Sequence, residues 1–155
     1  MIKKVFLSIV ALLTVICIES ASAKSTTGWS GGAKVNIYTN WDSTAGVGVY
    51  ARRSLNGGFR LEPSFIFLCN KDMSIDISAD LHYPINLGSD IELYPLVGLS
   101  LNDPSRLGLG INFGGGVGYN VTNRINIDLG AKWGLQTQRY ISNPFILSFG
   151  CGYKF

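Results

Sequence analysis

Hydrophobic and polar residues alternate along most of this chain of 155 residues. In the run 145–155 every odd position is aromatic, aliphatic or Cys, and the even positions from Ser148 onward are Ser, Gly or Lys. The run 125–135 has the same pattern, with an apolar residue at every odd position. A period of two residues is that of a β-strand whose two faces meet different surroundings. The pattern therefore predicts an all-β chain.

Eight alternating segments follow one another, and none of them carries the apolar period of a helix. We predict strands at 29–39, 45–55, 59–68, 73–84, 91–101, 107–119, 125–135 and 145–155. Tight turns rich in Gly or Asn alternate with polar and mostly longer connections, as in an up-and-down meander. About ten residues at ~3.3 Å each, tilted by about 45°, cover roughly 23 Å, close to the ~25 Å apolar band of an outer-membrane barrel. The sequence thus predicts an eight-stranded antiparallel up-and-down transmembrane β-barrel with short turns.

The N-terminal segment has the parts of an export signal. A basic start is followed by an apolar stretch at 5–18 and by a small-x-small cleavage site at 21–23. The stretch is too short to span a bilayer, which favours a cleaved signal peptide over a membrane anchor. A lipoprotein signal at Cys17 is disfavoured because a bulky residue precedes it. We predict a signal peptide at 1–23 and an outer-membrane barrel domain at 24–155.

The glycines indicate which face of the predicted barrel points inward. The chain has 19 glycines, and most of those in the predicted strands share the face that carries the charges. The interior of an eight-stranded barrel is just wide enough for side chains, so long charged side chains need very small neighbours there. A soluble lipocalin-like barrel, the alternative, would have to hold all the large apolar side chains inside. We therefore expect the apolar face to meet lipid.

Charged residues make up 15% of the chain, against about 25% in soluble domains. The predicted inner face holds five basic and five acidic residues, which can pair in a medium where an unpaired charge is costly. This predicted lumen charge network consists of Lys34, Arg52, Arg60, Lys132, Lys154, Glu62, Asp76, Asp80, Glu92 and Asp128. The outer face carries one strand charge, Arg53, near an end from which its side chain can reach the interface.

Aromatic residues gather near both ends of the predicted strands. Two belts at the height of the membrane interfaces are expected in an outer-membrane barrel. The predicted girdles contain Trp29, Phe59, Tyr83 and Tyr119 at one rim, and Trp133 and Phe145 at the other. The alternative is the general preference of aromatic residues for strands.

With its export signal, eight amphipathic strands and C-terminal Gly-Tyr-Lys-Phe155, the chain resembles the small outer-membrane β-barrel family, which includes OmpA transmembrane domains, OmpX-type proteins and opacity-type porin-like barrels. The segment 91–101 is also similar to small barrels of Bacteroidetes-like bacteria. The resemblance implies the outer membrane of a Gram-negative bacterium, with its lipids as partners. It also implies that the barrel-assembly machinery reads a C-terminal signal, here Phe149, Cys151, Tyr153 and Phe155.

No catalytic, cofactor or metal site is predicted. His82 is the only histidine, and with Asp80 it could form a catalytic pair, but a structural role in the lumen is favoured. One His and two separated Cys do not supply a metal site. The Gly-rich run 114–118 lacks the Lys-Ser/Thr ending of a phosphate loop. A net charge of +3 is too weak to indicate nucleic-acid binding.

Two cysteines and two prolines lie within the predicted strands or next to them. Cys69 and Cys151 are predicted to be free thiols because the strand order places them too far apart for a disulfide. Pro63 and Pro95 lie within predicted strands, where each removes a ladder hydrogen bond, and we expect local bulges at both.

The function predicted from the sequence is a non-enzymatic integral barrel whose lumen is plugged by charge pairs, with a role in envelope integrity or surface contact. A surface adhesin or receptor is an alternative, with the connection 136–144 and its Arg139 and Tyr140 as the candidate contact for an unknown ligand. A small porin-like channel is another. A lipid A-modifying enzyme is disfavoured by the inward position of His82.

Overall fold

A computed structural model describes residues 28–39, 44–69, 74–88, 90–102, 108–137 and 142–155, so the predicted leader lies outside the described residues. Its strands are β1 (Trp29–Tyr38), β2 (Thr44–Ser54), β3 (Arg60–Leu68), β4 (Ile75–His82), β5 (Ile85–Asn86), β6 (Ile91–Asn102), β7 (Gly108–Asn120), β8 (Ile125–Gln136) and β9 (Phe145–Lys154). A 3₁₀ turn at Asn56–Gly58 joins β2 to β3, with Gly57 and Gly58 both at positive φ. Within these residues, no helix has the length and apolar character needed to cross a membrane.

The strands form a closed antiparallel barrel. Strands pair with their neighbours in chain order, except that β4 and β5 both pair with β6 and not with each other. β1 pairs with both β2 and β9, which closes the sheet. The short β5 continues β4, because His82 pairs with Leu96 and Ile85 with Leu93 of β6 in one unbroken register. The two segments are thus one barrel strand, and the predicted eight-stranded up-and-down barrel is confirmed.

The pairing register determines how far the strands tilt. The register can be followed around the barrel by stepping from each residue to its partner on the next strand, starting at Trp29 and ending at Phe145. The residues passed on the way are, in order, Arg53, Leu61, Leu81, Val97, Phe113 and Trp133. The carbonyl of Phe145 accepts a hydrogen bond from the amide of Thr39 at 2.9 Å, so one circuit advances from residue 29 to residue 39 of the first strand. For eight strands this shift corresponds to a tilt of about 40° and a backbone radius of about 8 Å. Such an interior can be filled by side chains.

Every strand turns its even-numbered residues to the lumen and its odd-numbered residues outward, because all the registers pair residues of equal parity. Arg52 is 1% exposed in the lumen, whereas Leu99 and Leu129 are 63% and 62% exposed on the outer surface. A continuous apolar outer surface of this kind suits lipid rather than water. The lipocalin-like alternative, with the large apolar side chains inside, is therefore wrong.

The two ends of the barrel differ in their connections. The termini end carries the start of β1, the end of β9 and the connections that follow β2, β5 and β7. The loop end carries the other four connections, whose central residues lie outside the described ones. These two names are used below.

Pro63 and Pro95 interrupt hydrogen bonding without producing a bulge. The register of β2 with β3 is the same on both sides of Pro63, and that of β4 and β5 with β6 is the same on both sides of Pro95. The Tyr83 amide still donates to the Pro95 carbonyl at 3.1 Å, but Pro95 has no N–H to return the bond. The predicted bulges are therefore wrong. An extra residue would turn the rest of the strand over and exchange its two faces.

The outward position of Leu129 and the inward position of Ser148 generate a prediction. Leu129 pairs with Val117 and Phe149 on the outer surface. Leu129→Arg or Val117→Arg places a cation in lipid, which costs about 2–4 kcal/mol near the bilayer centre. We expect either variant to lower the folded fraction in lipid vesicles, measured by the gel shift on heating. Ser148→Ala, on the lumen side, is the control; equal folded fractions for all of them would contradict the lipid-facing assignment.

Candidate functional site

Arg52 is the centre of a buried ion-pair network in the lumen. It lies on β2, and its Nε contacts a carboxylate oxygen of Glu62 on β3. Its Nη2 reaches across the barrel to Asp128 Oδ1 on β8 at 2.6 Å. Lys34 Nζ on β1 contacts the other oxygen of Glu62. One guanidinium and one ammonium thus connect four strands that lie on both sides of the lumen.

Two further ion pairs lie along the barrel axis, one towards the loop end and one towards the termini end. Lys132 Nζ is 2.7 Å from Asp80 Oδ2, and Arg60 Nη1 is 2.5 Å from Glu92 Oε1. Among the described residues, ion pairs thus join most members of the predicted charge network. We call this set the lumen network: it comprises Lys34, Arg52, Arg60, Glu62, Asp80, Glu92, Asp128 and Lys132.

The structure places the other two predicted members differently. Asp76 is buried, and its Oδ2 accepts a hydrogen bond from the Tyr38 hydroxyl at 2.6 Å. Lys154 is exposed at the mouth of the termini end, where its Nζ donates to Asn120 Oδ1 at 2.7 Å. Neither residue contributes to an ion pair among the residues that the structure describes.

Two lumen tyrosines, which the sequence reasoning missed, support the network. The hydroxyls of Tyr50 and Tyr94 lie 3.4 and 3.2 Å from oxygens of Asp128, to which they donate. Lys34 Nζ and the Arg52 guanidinium lie 4.8 and 4.5 Å from the centroid of the Tyr50 ring. The even parity of both positions is the signal that could have placed them inside.

Glycines make room for the charged side chains. A Cβ on Gly98 would overlap Asp80 Oδ1, and one on Gly150 would overlap Asp128 Oδ2. A Cβ on Gly118 would lie 2.7 Å from Glu92 Cγ. Three acidic members of the network are therefore seated directly against glycines of a neighbouring strand, as the narrow lumen requires.

Towards the loop end the lumen also holds a cluster of large apolar and aromatic side chains, which the sequence reasoning did not predict. Four side chains with exposures of 0–2% pack against one another there. We call them the apolar lumen cluster: Tyr38, Ile66, Leu68 and Ile146. They occupy even positions, so register rather than hydrophobicity places them inside. At the same level the lumen holds buried polar side chains as well: Asp76 pairs with Ile66 and with Asn102, and it accepts a hydrogen bond from the Tyr38 hydroxyl.

His82 is packed inside the barrel and is 1% exposed. Its Nδ1 lies 3.3 Å from Arg60 Nη2, and its ring stacks on Tyr94 with 4.6 Å between centroids. One ligand-type atom each from Glu62, Asp80 and His82 lies within 4.8 Å of the others. Both carboxylates, however, already hold a Lys or Arg nitrogen, which a metal ion would have to displace. The donor set therefore suits a structural role better than a metal site.

A very small cavity adjoins His82 and the lumen network. Its volume of about 10 Å³ is that of roughly one water molecule. Lys34, Glu62, Asp80 and Lys132 are among its lining residues. Formed by described residues, this cavity is too small for a substrate or a hydrated ion.

The predicted girdle residues lie on the outer surface near the two ends. The rings of Phe59 and Tyr83 are 5.2 Å apart at the termini end, where Trp29 and Tyr119 also lie. Trp133 and Phe145 are 5.8 Å apart towards the loop end.

The predicted C-terminal signal faces outward as well. Phe149, Cys151, Tyr153 and Phe155 are all exposed, and Phe155 is the most exposed of the large apolar residues, at 85%. Cys69, just beyond β3 at the loop end, and Cys151 are free and exposed.

A closed eight-stranded barrel with a packed polar lumen and an apolar outer surface defines a small outer-membrane protein. The model of the outer membrane protein beta-barrel domain matches residues 8–155, and the chain belongs to that family. No curated protein sequence matches the chain significantly.

Solved structures share the fold at low sequence identity. A de novo designed transmembrane β-barrel has a TM-score of 0.64 at 16% identity, covering 86% of this chain and 98% of the design. Neisserial surface protein A has a TM-score of 0.62 at 17% identity, with 84% and 96% of the two chains covered. Ail, the attachment invasion locus protein of Yersinia pestis, has a TM-score of 0.55 at 14% identity, with 83% and 97% covered. At these identities the similarity shows the fold.

Arg52 and Arg53 provide a matched pair for testing the lumen network. Arg52→Gln leaves Asp128 without a cation and Glu62 with Lys34 alone, and breaking buried pairs of this kind costs about 3–5 kcal/mol. Arg53→Gln also removes a guanidinium group, but from the exposed outer face. We expect it to lower the free energy of unfolding by less than about 1 kcal/mol. Denaturant titration in lipid vesicles measures both free energies of unfolding; equal losses would show that the network does not stabilise the barrel.

Proposed function

We propose that this chain is a non-enzymatic integral protein of the Gram-negative outer membrane whose lumen is closed to ions and solutes. Its role is in envelope integrity or in contact at the cell surface. Family membership and the apolar outer surface support the location. The predicted signal peptide at 1–23 supplies the export that this location requires.

The packed centre of the lumen is the observation that supports this proposal. The side chains of the lumen network meet across the barrel axis, and the apolar lumen cluster follows them towards the loop end. A hydrated ion would have to separate buried ion pairs and then pass the side chains packed towards the loop end. The separation is unfavourable, since charges in a low-dielectric interior lose their partners.

Conductance in planar bilayers tests the closed lumen. We expect the folded protein to give no large, steady current steps, because the ion pairs and the side chains packed beyond them block the axis. Folded protein is verified by the gel shift on heating in the same vesicles, so that missing currents cannot reflect failed insertion. Large and steady steps would instead support a small porin-like channel and overturn the proposal.

The position of His82 supports the absence of enzymatic activity. Its ring is enclosed by Tyr94 and Arg60 inside the barrel, away from the lipid that a lipid A-modifying enzyme must reach. We expect His82→Ala to leave the mass spectrum of lipid A unchanged in cells that express the barrel. The comparison is with cells carrying the wild-type chain and cells lacking it. A lipid A species present only with the wild type would contradict the proposal.

Surface contact, where it occurs, uses the loop end. The connection between β8 and β9 is the longest there, and Arg139 and Tyr140, predicted for contact, lie outside the described residues. At the other end, we propose that the exposed Phe155 and the outward residues before it are read by the barrel-assembly machinery during insertion.

A further inference from the structure

Two arginines and three aromatic residues form one surface at the termini end. We call it the basic aromatic patch: it comprises Trp29, Arg53, Arg124, Tyr153 and Phe155. The four strand or terminal residues are odd-numbered and face outward, and Arg124 is exposed in the turn before β8. Neither arginine belongs to the lumen network.

Contacts make the patch continuous across β2, β1, β9 and β8. Arg53 pairs with Trp29, and its guanidinium carbon lies 5.3 Å from the centroid of that ring. The Phe155 amide donates to the Trp29 carbonyl at 3.0 Å, and the rings of Tyr153 and Phe155 are 5.6 Å apart. Arg124 Nη1 donates to the Tyr153 hydroxyl at 3.1 Å. One arginine therefore stands at each side of a shared aromatic surface.

The arginines keep hydrogen-bond donors for a ligand. The partner of Arg53 is the face of a ring, and among the described residues no acceptor binds its guanidinium. Arg124 uses one nitrogen for Tyr153. Guanidinium groups present forked donors that match phosphate oxygens, and this charge is complementary to an anionic headgroup.

The part of the same rim that adjoins the patch, next to β3 and β4, lacks this chemistry among the described residues. Phe59 and Tyr83 also form an aromatic pair there, but Arg60, next in sequence, turns into the lumen and pairs with Glu92. The outward cations of the patch thus lie on one side of the termini end. A girdle that only set the height of the barrel in the bilayer would not need this asymmetry.

We propose that the basic aromatic patch binds an anionic phospholipid, with Arg53 and Arg124 on the phosphate and the aromatic rings on the adjoining glycerol and acyl region. The patch continues into the apolar outer surface, so a ligand that fits both must carry a charged head and apolar tails. The inference rests on the proposed membrane location and adds a lipid class to it.

Fluorescence quenching at Trp29 measures this binding. Trp41→Phe and Trp133→Phe leave Trp29 as the single tryptophan in the full folded chain. Vesicles contain brominated phosphatidylglycerol or brominated phosphatidylcholine, and the ratio of the two quenching strengths gives the relative association constant of the anionic lipid. We expect a preference for phosphatidylglycerol that falls about fivefold in Arg53→Gln and again in the double variant with Arg124→Gln. Arg53→Lys should keep part of the preference.

Lys154→Gln is the matched control, because it removes a cation from the same end that faces the lumen mouth and contacts Asn120. We expect it to leave the preference within about twofold, since its charge lies outside the patch. No preference in the wild type, no change in the arginine variants, or an equal change in Lys154→Gln would each overturn the inference. Displacement by soluble glycerophosphate at constant ionic strength would also overturn it, by showing recognition of a free phosphate group. In all these outcomes an inserted, non-conducting barrel leaves the proposed function intact.

Discussion

The narrow interior of an eight-stranded barrel is the constraint on which the rest of this structure depends. Within a backbone radius of about 8 Å, long charged side chains fit only against residues that have no side chain. Asp80, Asp128 and Glu92 accordingly lie against Gly98, Gly150 and Gly118. Once inside, each charge needs a partner, because water cannot replace one. Size and charge together therefore restrict which residues occupy the lumen, and most of the apolar residues lie on the outer surface.

The stability of the barrel and the proposed closure of its lumen to ions have the same origin. Arg52 joins β2 to β3 and, across the axis, to β8, so the contact that neutralises its charge also ties together strands that are not neighbours. The hydroxyls of Tyr50 and Tyr94 also donate to the carboxylate of Asp128. A lumen held in this way resists opening, because any path for ions would first separate groups that stabilise the fold. The closed lumen that we propose would thus follow from how this barrel is held together.

Much of the fold, and part of the lumen, could be predicted from the sequence. Alternation and glycine placement were sufficient for the eight strands and their orientation, because both depend on local spacing. Cross-axis partners such as Arg52 and Asp128 could not be predicted, since they depend on the register of strands distant in sequence. Ile66 and Ile146 were missed for a different reason: their hydrophobicity suggests lipid, although their even positions place them inside. The bulges predicted at Pro63 and Pro95 were wrong because alternation of the two faces holds the register across a missing hydrogen bond.

The uniform parity of the strands also limits how this chain can change during evolution. Deleting or adding one residue within β7, for example, would send Val117 and its neighbours to the axis and the glycines of that strand into the bilayer. Such an indel would disturb packing inside and out at once, whereas the same change between β8 and β9 would alter only a connection. Homologues should therefore differ in length chiefly at the loop end, where new surface sequence can be acquired without altering the barrel wall.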